Sequence, residues 1–240
     1  LMAAGLPPAR QVFGHGWLLV GGEKMSKSKL TGIAPTQITD IFGSDAFRYY
    51  FMKAIGFGSD GSFSWEDLSA RYNSELANGF GNLASRVIAM INKYFDGVVP
   101  EPADYQPADL AIQKVAQDAV DGANAAIDKV AIHEAIAKVW TLVDELNNYI
   151  TVQAPWVLAK DEGDRDRLAT VLYTTAEGLR LLAVLLNPIV PKAAQKLWSS
   201  IGADLGELSD QRIQHGVWGV LPAGTKLGDL EVLFPRVEEQ

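Results

Sequence analysis

Several long stretches with apolar residues spaced three and four apart constrain the fold of this chain most strongly. In the first stretch, the apolar stripe has the period of an α-helix and does not fit the period of a strand. Its members are Leu76, Phe80, Leu83, Val87, Met90, Ile91 and Tyr94. Similar patterns cover about 108–129, 132–152 and 166–186, and a shorter one covers 191–201. Antiparallel packing of such helices through short links predicts a helical bundle.

Local signals set the limits of the predicted helices. Ser64, followed by Asp67, resembles a capping box at the start of the long helix through residues 76–94. Pro35 fits the first turn of a short helix that reaches about Phe42, and Ser44 with Asp45 predicts the start of another. A stiff, proline-rich connector separates the first long helix from the next.

The first part of the chain reads differently. The segment Gln11–Val20 is rich in β-branched and aromatic residues, ends at Gly21-Gly22, and predicts a mostly buried strand of an α/β sheet. Ligands collect beyond the carboxyl ends of such strands, which is where Lys24 begins a polar loop. Leu1–Leu6 resembles the last turn of a helix with a glycine stop, so we expect further chain before it.

The loop Lys24-Met25-Ser26-Lys27-Ser28 combines two lysines with two hydroxyls. Ammonium groups three residues apart can both face one polyphosphate, while Ser26 and Ser28 add hydroxyl or backbone donors. The alternative is a solvated lysine-serine surface loop, which describes most pentapeptides of this composition.

Composition excludes several classes of protein. A net charge of -8 over 240 residues does not suit a protein that coats a polyanion with its whole surface, so a nucleic acid would meet a local patch. The chain has no cysteine, and its three histidines are scattered, so no metal site is expected. The apolar runs fall short of the roughly 20 residues that span a bilayer, and no membrane partner is expected.

The loop Lys24–Ser28 is identical to the KMSKS signature of class I aminoacyl-tRNA synthetases, and the chain resembles the methionyl-tRNA synthetase family throughout. The matching pieces are HGW at 15–17 before the loop, DAFRYYF at 45–51, GNLASR at 81–86, QAPW at 153–156, NPIVP at 187–191 and VLFPRVE at 232–238. The resemblance implies methionine–tRNA ligation through a methionyl-adenylate, with ATP, Mg²⁺, methionine and tRNA-Met as substrates and cofactors.

The resemblance also implies roles in the ATP site. Lys27, assisted by Lys24, would contact the ATP phosphates and stabilise the transition state of adenylate formation. Ser26 and Ser28 would belong to the same site, and Leu18 would lie beside the adenosine. His15 is in the family's strand motif, but a structural role that holds the strand against its neighbour is an open alternative.

A second candidate surface lies on the predicted bundle. Asn82 and Arg86 are four residues apart, so on a helix they share a face about 100° from the apolar stripe. Pro155 ends the preceding helix and leaves Trp156 at its end, where an indole can stack on a base. The alternatives are a solvated polar face and a tryptophan that plugs the bundle. The resemblance implies that Asn82, Arg86, Trp156 and Pro155 read the CAU anticodon.

The expected fold class is mainly α: the end of a Rossmann-like α/β nucleotide-binding domain, a stem-contact region and an α-helical anticodon-binding bundle. The expected domains are the last catalytic strand at 1–25, the KMSKS loop and stem-contact region at 24–63, the bundle at 64–204 and a C-terminal arm at 205–240. No HIGH motif and no zinc-binding Cys-x-x-Cys occur in the sequence. We therefore expect a C-terminal part that is inactive without the N-terminal half of the same enzyme, in a cytoplasmic monomer.

Two other interpretations stay open at this point. One is another class I synthetase, for valine, isoleucine, leucine or cysteine, whose members carry similar loops and helical bundles. The other is a non-catalytic tRNA-binding module derived from such an enzyme, which would have no need for phosphate-binding lysines.

Overall fold

The fold is described from a computed structural model that covers residues 1–20, 22–25, 32–56, 58–202 and 205–237. In these ranges the chain is mainly helical. The strands are β1 (Leu18–Val20), β2 (Glu23–Lys24) and β3 (Gly61–Phe63). The helices are α1 (Pro35–Ala54), α2 (Trp65–Arg71), α3 (Asn82–Phe95), α4 (Pro107–Ile127), α5 (Ile132–Gln153), α6 (Pro155–Leu158), α7 (Arg165–Leu186) and α8 (Pro191–Ile201), with a π-helical segment at Tyr72–Gly81.

The helical predictions are confirmed, but their capping signals act only in part. The Asp45 carboxylate accepts the Ala193 N–H of α8 instead of capping its own helix. The Ser64 N–H donates to the Tyr50 hydroxyl instead of to Asp67. The Ser64 hydroxyl accepts a hydrogen bond from the Asp67 backbone N–H (3.2 Å) and so caps α2. Within α1, Gly43 has φ 82° and ψ 164°, which breaks the helix into the two short pieces that the sequence predicted. Glycine adopts this backbone conformation without steric cost.

The predicted long helix through residues 76–94 is two kinds of helix in series. Its first part is the π-helical segment, and regular α-helix begins only at Asn82. The apolar stripe is nevertheless buried, with Leu76, Phe80, Leu83, Val87 and Ile91 all fully enclosed. The stripe therefore stays buried across the change in winding.

The small sheet corrects one prediction. A mostly buried strand over Gln11–Val20 is wrong, because only Leu18–Val20 pairs and residues 11–15 are exposed. β1 pairs antiparallel with β2 and parallel with β3, and both partners are only two or three residues long. The ladder therefore ends at Leu18. The parallel β1–β3 pair, joined through α1, is the βαβ arrangement expected at the end of an α/β domain.

The core of the bundle is centred on α7, which contacts α3, α4, α5 and α8. In the described part of the chain, the stretch Glu162–Leu186 is long and apolar enough to cross a bilayer, but its apolar window is wholly buried inside the protein. Trp140 and Trp198 lie in this core, at 5% and 3% exposure, as the sequence predicted. The apolar content of α7 is thus explained by its central position.

A buried ion pair joins the segment after α8 to this central helix. The Glu177 carboxylate accepts two hydrogen bonds from Arg180, both at 2.8 Å, and neither side chain is appreciably exposed. The same carboxylate accepts the backbone N–H groups of Gly219, Val220 and Leu221 at 2.8–3.1 Å. The Glu177 side chain therefore holds residues 219–221 against α7.

Candidate nucleotide and anticodon sites

The lysine loop lies only partly within the described residues. Lys24 is the last residue of β2 and is exposed, and the Met25 backbone N–H donates to the Leu18 carbonyl (3.0 Å). Lys27, Ser26 and Ser28 lie outside the described residues. The hairpin of β1 and β2 therefore places Lys24 opposite Leu19, folded back along β1 and not beyond its carboxyl end as the sequence predicted. The roles of the other three residues stay predictions.

The HGW segment is joined to the turn before β3. The Trp17 backbone N–H donates to the Asp60 carboxylate (2.7 Å), and the Gly61 N–H donates to the Trp17 carbonyl (2.9 Å). A side chain at Gly16 would place its Cβ only 2.0 Å from the Ser59 carbonyl oxygen, so this close approach requires glycine. The Trp17 ring is thereby presented beside Lys24, whose Nζ lies 3.1 Å from the ring centroid.

Two more residues predicted for the ATP site, Leu18 and His15, lie beside Trp17. Leu18 is half-buried in β1, and His15 is exposed, with Nδ1 2.8 Å from the Gly16 carbonyl oxygen. Both line a cavity of about 320 Å³ whose other walls include Phe51, Met52 and Ile55 of the α1 end. Because His15 is exposed, it does not pack the strand against another part of the chain that the structure describes.

Helix α1 connects this end of the molecule to the bundle. The Arg48 guanidinium donates to the carbonyls of Pro188 (2.6 Å) and Ile189 (3.1 Å). The Asp45 carboxylate accepts the Ala193 backbone N–H in the first turn of α8 (2.8 Å). Burial raises the pKa of Asp45, although this hydrogen bond opposes the rise. The DAFRYYF and NPIVP motifs therefore meet at one interhelical contact.

Asn82 and Arg86 lie on the outer side of α3. Asn82 is exposed and Arg86 is half-exposed, while their neighbours Leu83 and Val87 are fully buried. Neither polar side chain has a hydrogen bond or ion pair to any described residue. Asn78, one turn earlier, is by contrast bonded to Arg236 (2.9 Å). The predicted pair is therefore available to a ligand.

Trp156 and Pro155 begin the short helix α6. Ala154 ends α5 in the left-handed conformation, with φ 44°, and buried Pro155 starts α6 in the next position. This turn leaves 41% of Trp156 exposed, with no hydrogen bond from its indole to the described residues. Trp156 therefore does not plug the bundle, unlike Trp140 and Trp198.

The two predicted halves of the anticodon surface lie on helices that pack against the start of the same helix, α7. α3 and α5 both end beside the start of α7, because Arg165 covers the Phe95 ring (4.3 Å) and Arg167 bonds Gln153 (2.7 Å). Asn147 of α5 donates to the Gly79 carbonyl (3.1 Å). These contacts join α3 and α5 to each other and to the start of α7.

A buried network fixes the end of α5, from which Trp156 projects. Arg167 donates to both oxygens of the buried Asp109 carboxylate (2.6 and 2.8 Å), and the Tyr149 hydroxyl also donates to it. Arg167 reaches Gln153 as well. The sequence carries no local motif for this network, because its members are spread over three helices.

This network predicts a pH dependence of stability. Burial alone would raise the pKa of Asp109, but the hydrogen bonds from Arg167 and Tyr149 outweigh burial and hold this pKa below its ordinary value. A lowered folded-state pKa contributes stability that is present above the unfolded value of about 3.9 and is lost as pH falls through the folded value. We expect Asp109→Asn to lower the urea midpoint at pH 7, and the difference from the parent protein to shrink below about pH 4. A constant difference across this range would contradict the assignment.

Comparison with known proteins decides which family carries this arrangement. Residues 1–88 match the family described as tRNA synthetases class I (M). Residues 99–240, more than half of the chain, match the anticodon binding domain of methionyl tRNA ligase. The chain belongs to the methionyl-tRNA ligase family. The alternative class I enzymes for valine, isoleucine, leucine or cysteine are thereby excluded.

Relatives of this family align with the chain from end to end. A methionine–tRNA ligase of Streptomyces coelicolor is 53% identical over 100% of this chain, and one of Caldanaerobacter subterraneus is 43% identical over 99%. Mycobacterium tuberculosis methionyl-tRNA synthetase bound by methionyl-adenylate superposes with a TM-score of 0.88 at 37% identity over 98% of this chain. The chain spans 46% of the first relative, 37% of the second and 46% of the solved chain.

Proposed function

We propose that these residues form the part of a methionine–tRNA ligase that supplies the phosphate-binding lysines and reads the anticodon. The protein would activate methionine with ATP and transfer it to a tRNA with a CAU anticodon. The observation that carries the proposal is that Asn82, Arg86 and Trp156 all lie at the surface of the helical bundle. None of the three forms a hydrogen bond or ion pair through its side chain with a residue that the structure describes, and they are of the types that bind unpaired bases.

Arg86 differs from the other arginines of the bundle. Across the described part of 64–202, Arg71 pairs with Asp67, Arg167 with Asp109, Arg180 with Glu177, and Arg165 lies on a phenyl ring. Arg86 has no such contact. In a chain with a net charge of -8, a guanidinium left without an acidic partner supports a role in binding a phosphate or a base edge.

At the nucleotide end, we propose that Lys24 and Lys27 bind the ATP phosphates, with Ser26 and Ser28 as donors and Leu18 and His15 beside the nucleoside. Mg²⁺ would accompany ATP, because its phosphate oxygens are ligands that this ion prefers. A non-catalytic tRNA-binding module would not need Lys24 held against the Trp17 ring. The placement of Lys24 therefore favours the enzyme.

The division into 1–25, 24–63, 64–204 and 205–240 belongs to the same proposal. Its support is the Arg48 and Asp45 contact, which joins α1 to the α7–α8 corner and so gives the middle region a defined position on the bundle. We further propose a cytoplasmic monomer, because ATP and tRNA are available in the cytoplasm and one chain carries both surfaces.

Replacing Trp156 with alanine is expected to weaken binding of a CAU-anticodon tRNA by about 1–3 kcal/mol, the usual contribution of one stacked base. Phenylalanine at the same position should retain most of the affinity because its ring can still stack. Filter binding of the tRNA to the complete ligase measures the effect, and ATP–pyrophosphate exchange should be almost unchanged.

Val157 provides the matched control, because it follows Trp156 in α6 and is 52% exposed. Val157→Ala should leave tRNA affinity nearly unchanged. If Trp156→Ala lowers tRNA affinity and pyrophosphate exchange equally, Trp156 acts on the fold and the proposed anticodon contact is wrong.

A further inference from the structure

The contact between Trp17 and Lys24 assigns a task to the HGW segment. We infer that Trp17 is a positioning residue that holds the Lys24 ammonium where it meets the ATP phosphates. The observation is the 3.1 Å separation between Lys24 Nζ and the centroid of the Trp17 ring. The inference rests on the proposed function, in which Lys24 is a phosphate ligand.

Trp17 is suited to this task because its backbone is held on both sides. Its N–H is bonded to Asp60, and its carbonyl accepts the Gly61 N–H, so the residue is locked to the turn that leads into β3. Gly16 allows the chain to pass directly against Ser59. The Trp17 backbone is thus fixed independently of the lysine loop, although 57% of the Trp17 side chain is exposed.

An aromatic face holds a lysine without neutralising it. A carboxylate partner would cancel the charge, and none of the described carboxylates forms an ion pair with Lys24. An ammonium has three N–H donors and no acceptor. When one side of the ammonium faces the ring, N–H donors on the other side remain for phosphate oxygens. The contact therefore limits the motion of a long flexible side chain and preserves the charge that a phosphate needs.

This arrangement predicts a specific pattern of variants in the complete ligase. Trp17→Leu keeps apolar bulk but removes the aromatic face, and we expect it to slow ATP–pyrophosphate exchange by about 3- to 30-fold. Trp17→Phe keeps a face and should recover most of the rate. The KM for methionine and the affinity for tRNA should not change, because neither depends on Lys24.

The decisive measurement is a double-variant cycle with Lys24→Ala. If Trp17 acts through Lys24, adding Trp17→Leu to Lys24→Ala slows exchange no further. A further slowing of 3-fold or more in that background, no effect of Trp17→Leu alone, or tighter ATP binding by Trp17→Leu would each overturn the inference. Thermal melting of Trp17→Leu checks that the fold is retained.

The same cycle separates this inference from the proposed function. If Lys24→Ala itself leaves the exchange rate unchanged, Lys24 is not a phosphate ligand and the proposed role fails, together with the inference. If Lys24→Ala slows exchange while Trp17→Leu does not, the proposed function stands and only the positioning role is wrong.

Discussion

Replacing Lys27 with alanine is expected to slow methionyl-adenylate formation by about 100- to 1,000-fold, the usual effect of removing one preorganised donor to a transition state. The proposed contact strengthens as charge develops on the triphosphate, so the affinity for methionine should change little. Single-turnover adenylate formation in the complete ligase measures the rate constant. Methionine-dependent fluorescence or equilibrium dialysis measures the affinity.

Lys29 gives the control for this experiment, because it lies two residues farther along the same basic stretch, outside the signature. Lys29→Ala removes an equal charge and should retain most of the rate. A Lys27→Ala enzyme with an unchanged rate constant and only a raised KM for ATP would contradict a role in the transition state. Equal losses for Lys27→Ala and Lys29→Ala would indicate general electrostatic attraction instead.

Arg180→Ala is expected to destabilise the protein by about 3–5 kcal/mol, because it leaves the buried Glu177 charge without its partner. Both side chains are essentially inaccessible to water, so the remaining carboxylate cannot be solvated without opening the core. Urea unfolding followed by circular dichroism measures the free energy. The exposed pair Lys114–Asp118 is the control, and Lys114→Ala should give no measurable change.

A double variant separates two contributions of Glu177 to stability: its ion pair with Arg180, and its hydrogen bonds to the C-terminal arm. Replacing both Glu177 and Arg180 with leucine removes the uncompensated charge, and in many buried pairs such an exchange is nearly neutral. Here the backbone N–H groups of residues 219–221 would lose their acceptor. We therefore expect the double variant to remain destabilised, and full recovery would contradict the anchoring role of Glu177.

The sequence predicted the helices well because their signals are local. The apolar stripe from Leu76 to Tyr94 needs only the helical period, and Ser64 needs only the N–H of Asp67, three residues later. The exposure of Asn82 and the burial of Leu83 follow from the same geometry. Trp156 was predicted at a helix end, because Pro155 cannot continue α5.

The features that sequence analysis missed depend on distant partners. Gln11–Val20 has strand-forming residues, but its pairing is limited by short neighbours at 23–24 and 61–63. The role inferred for the Trp17 ring depends on the pairing of β1 with β2, which places Lys24 against the ring. The π-helical winding before Asn82 has no compositional signal, although Gly79 and Gly81 lie within it.

The most direct test of the account is aminoacylation of two tRNA-Met transcripts that differ only in the first anticodon base. The account predicts that the complete ligase charges the CAU transcript with methionine and that kcat/KM falls by about 100-fold or more for the altered anticodon, because unpaired base edges are read by hydrogen bonds. The Arg86→Ala variant should lose most of this discrimination, whereas Trp156→Ala should weaken charging of both transcripts because stacking tolerates any base. Equal charging of both transcripts by the parent enzyme would contradict the central claim.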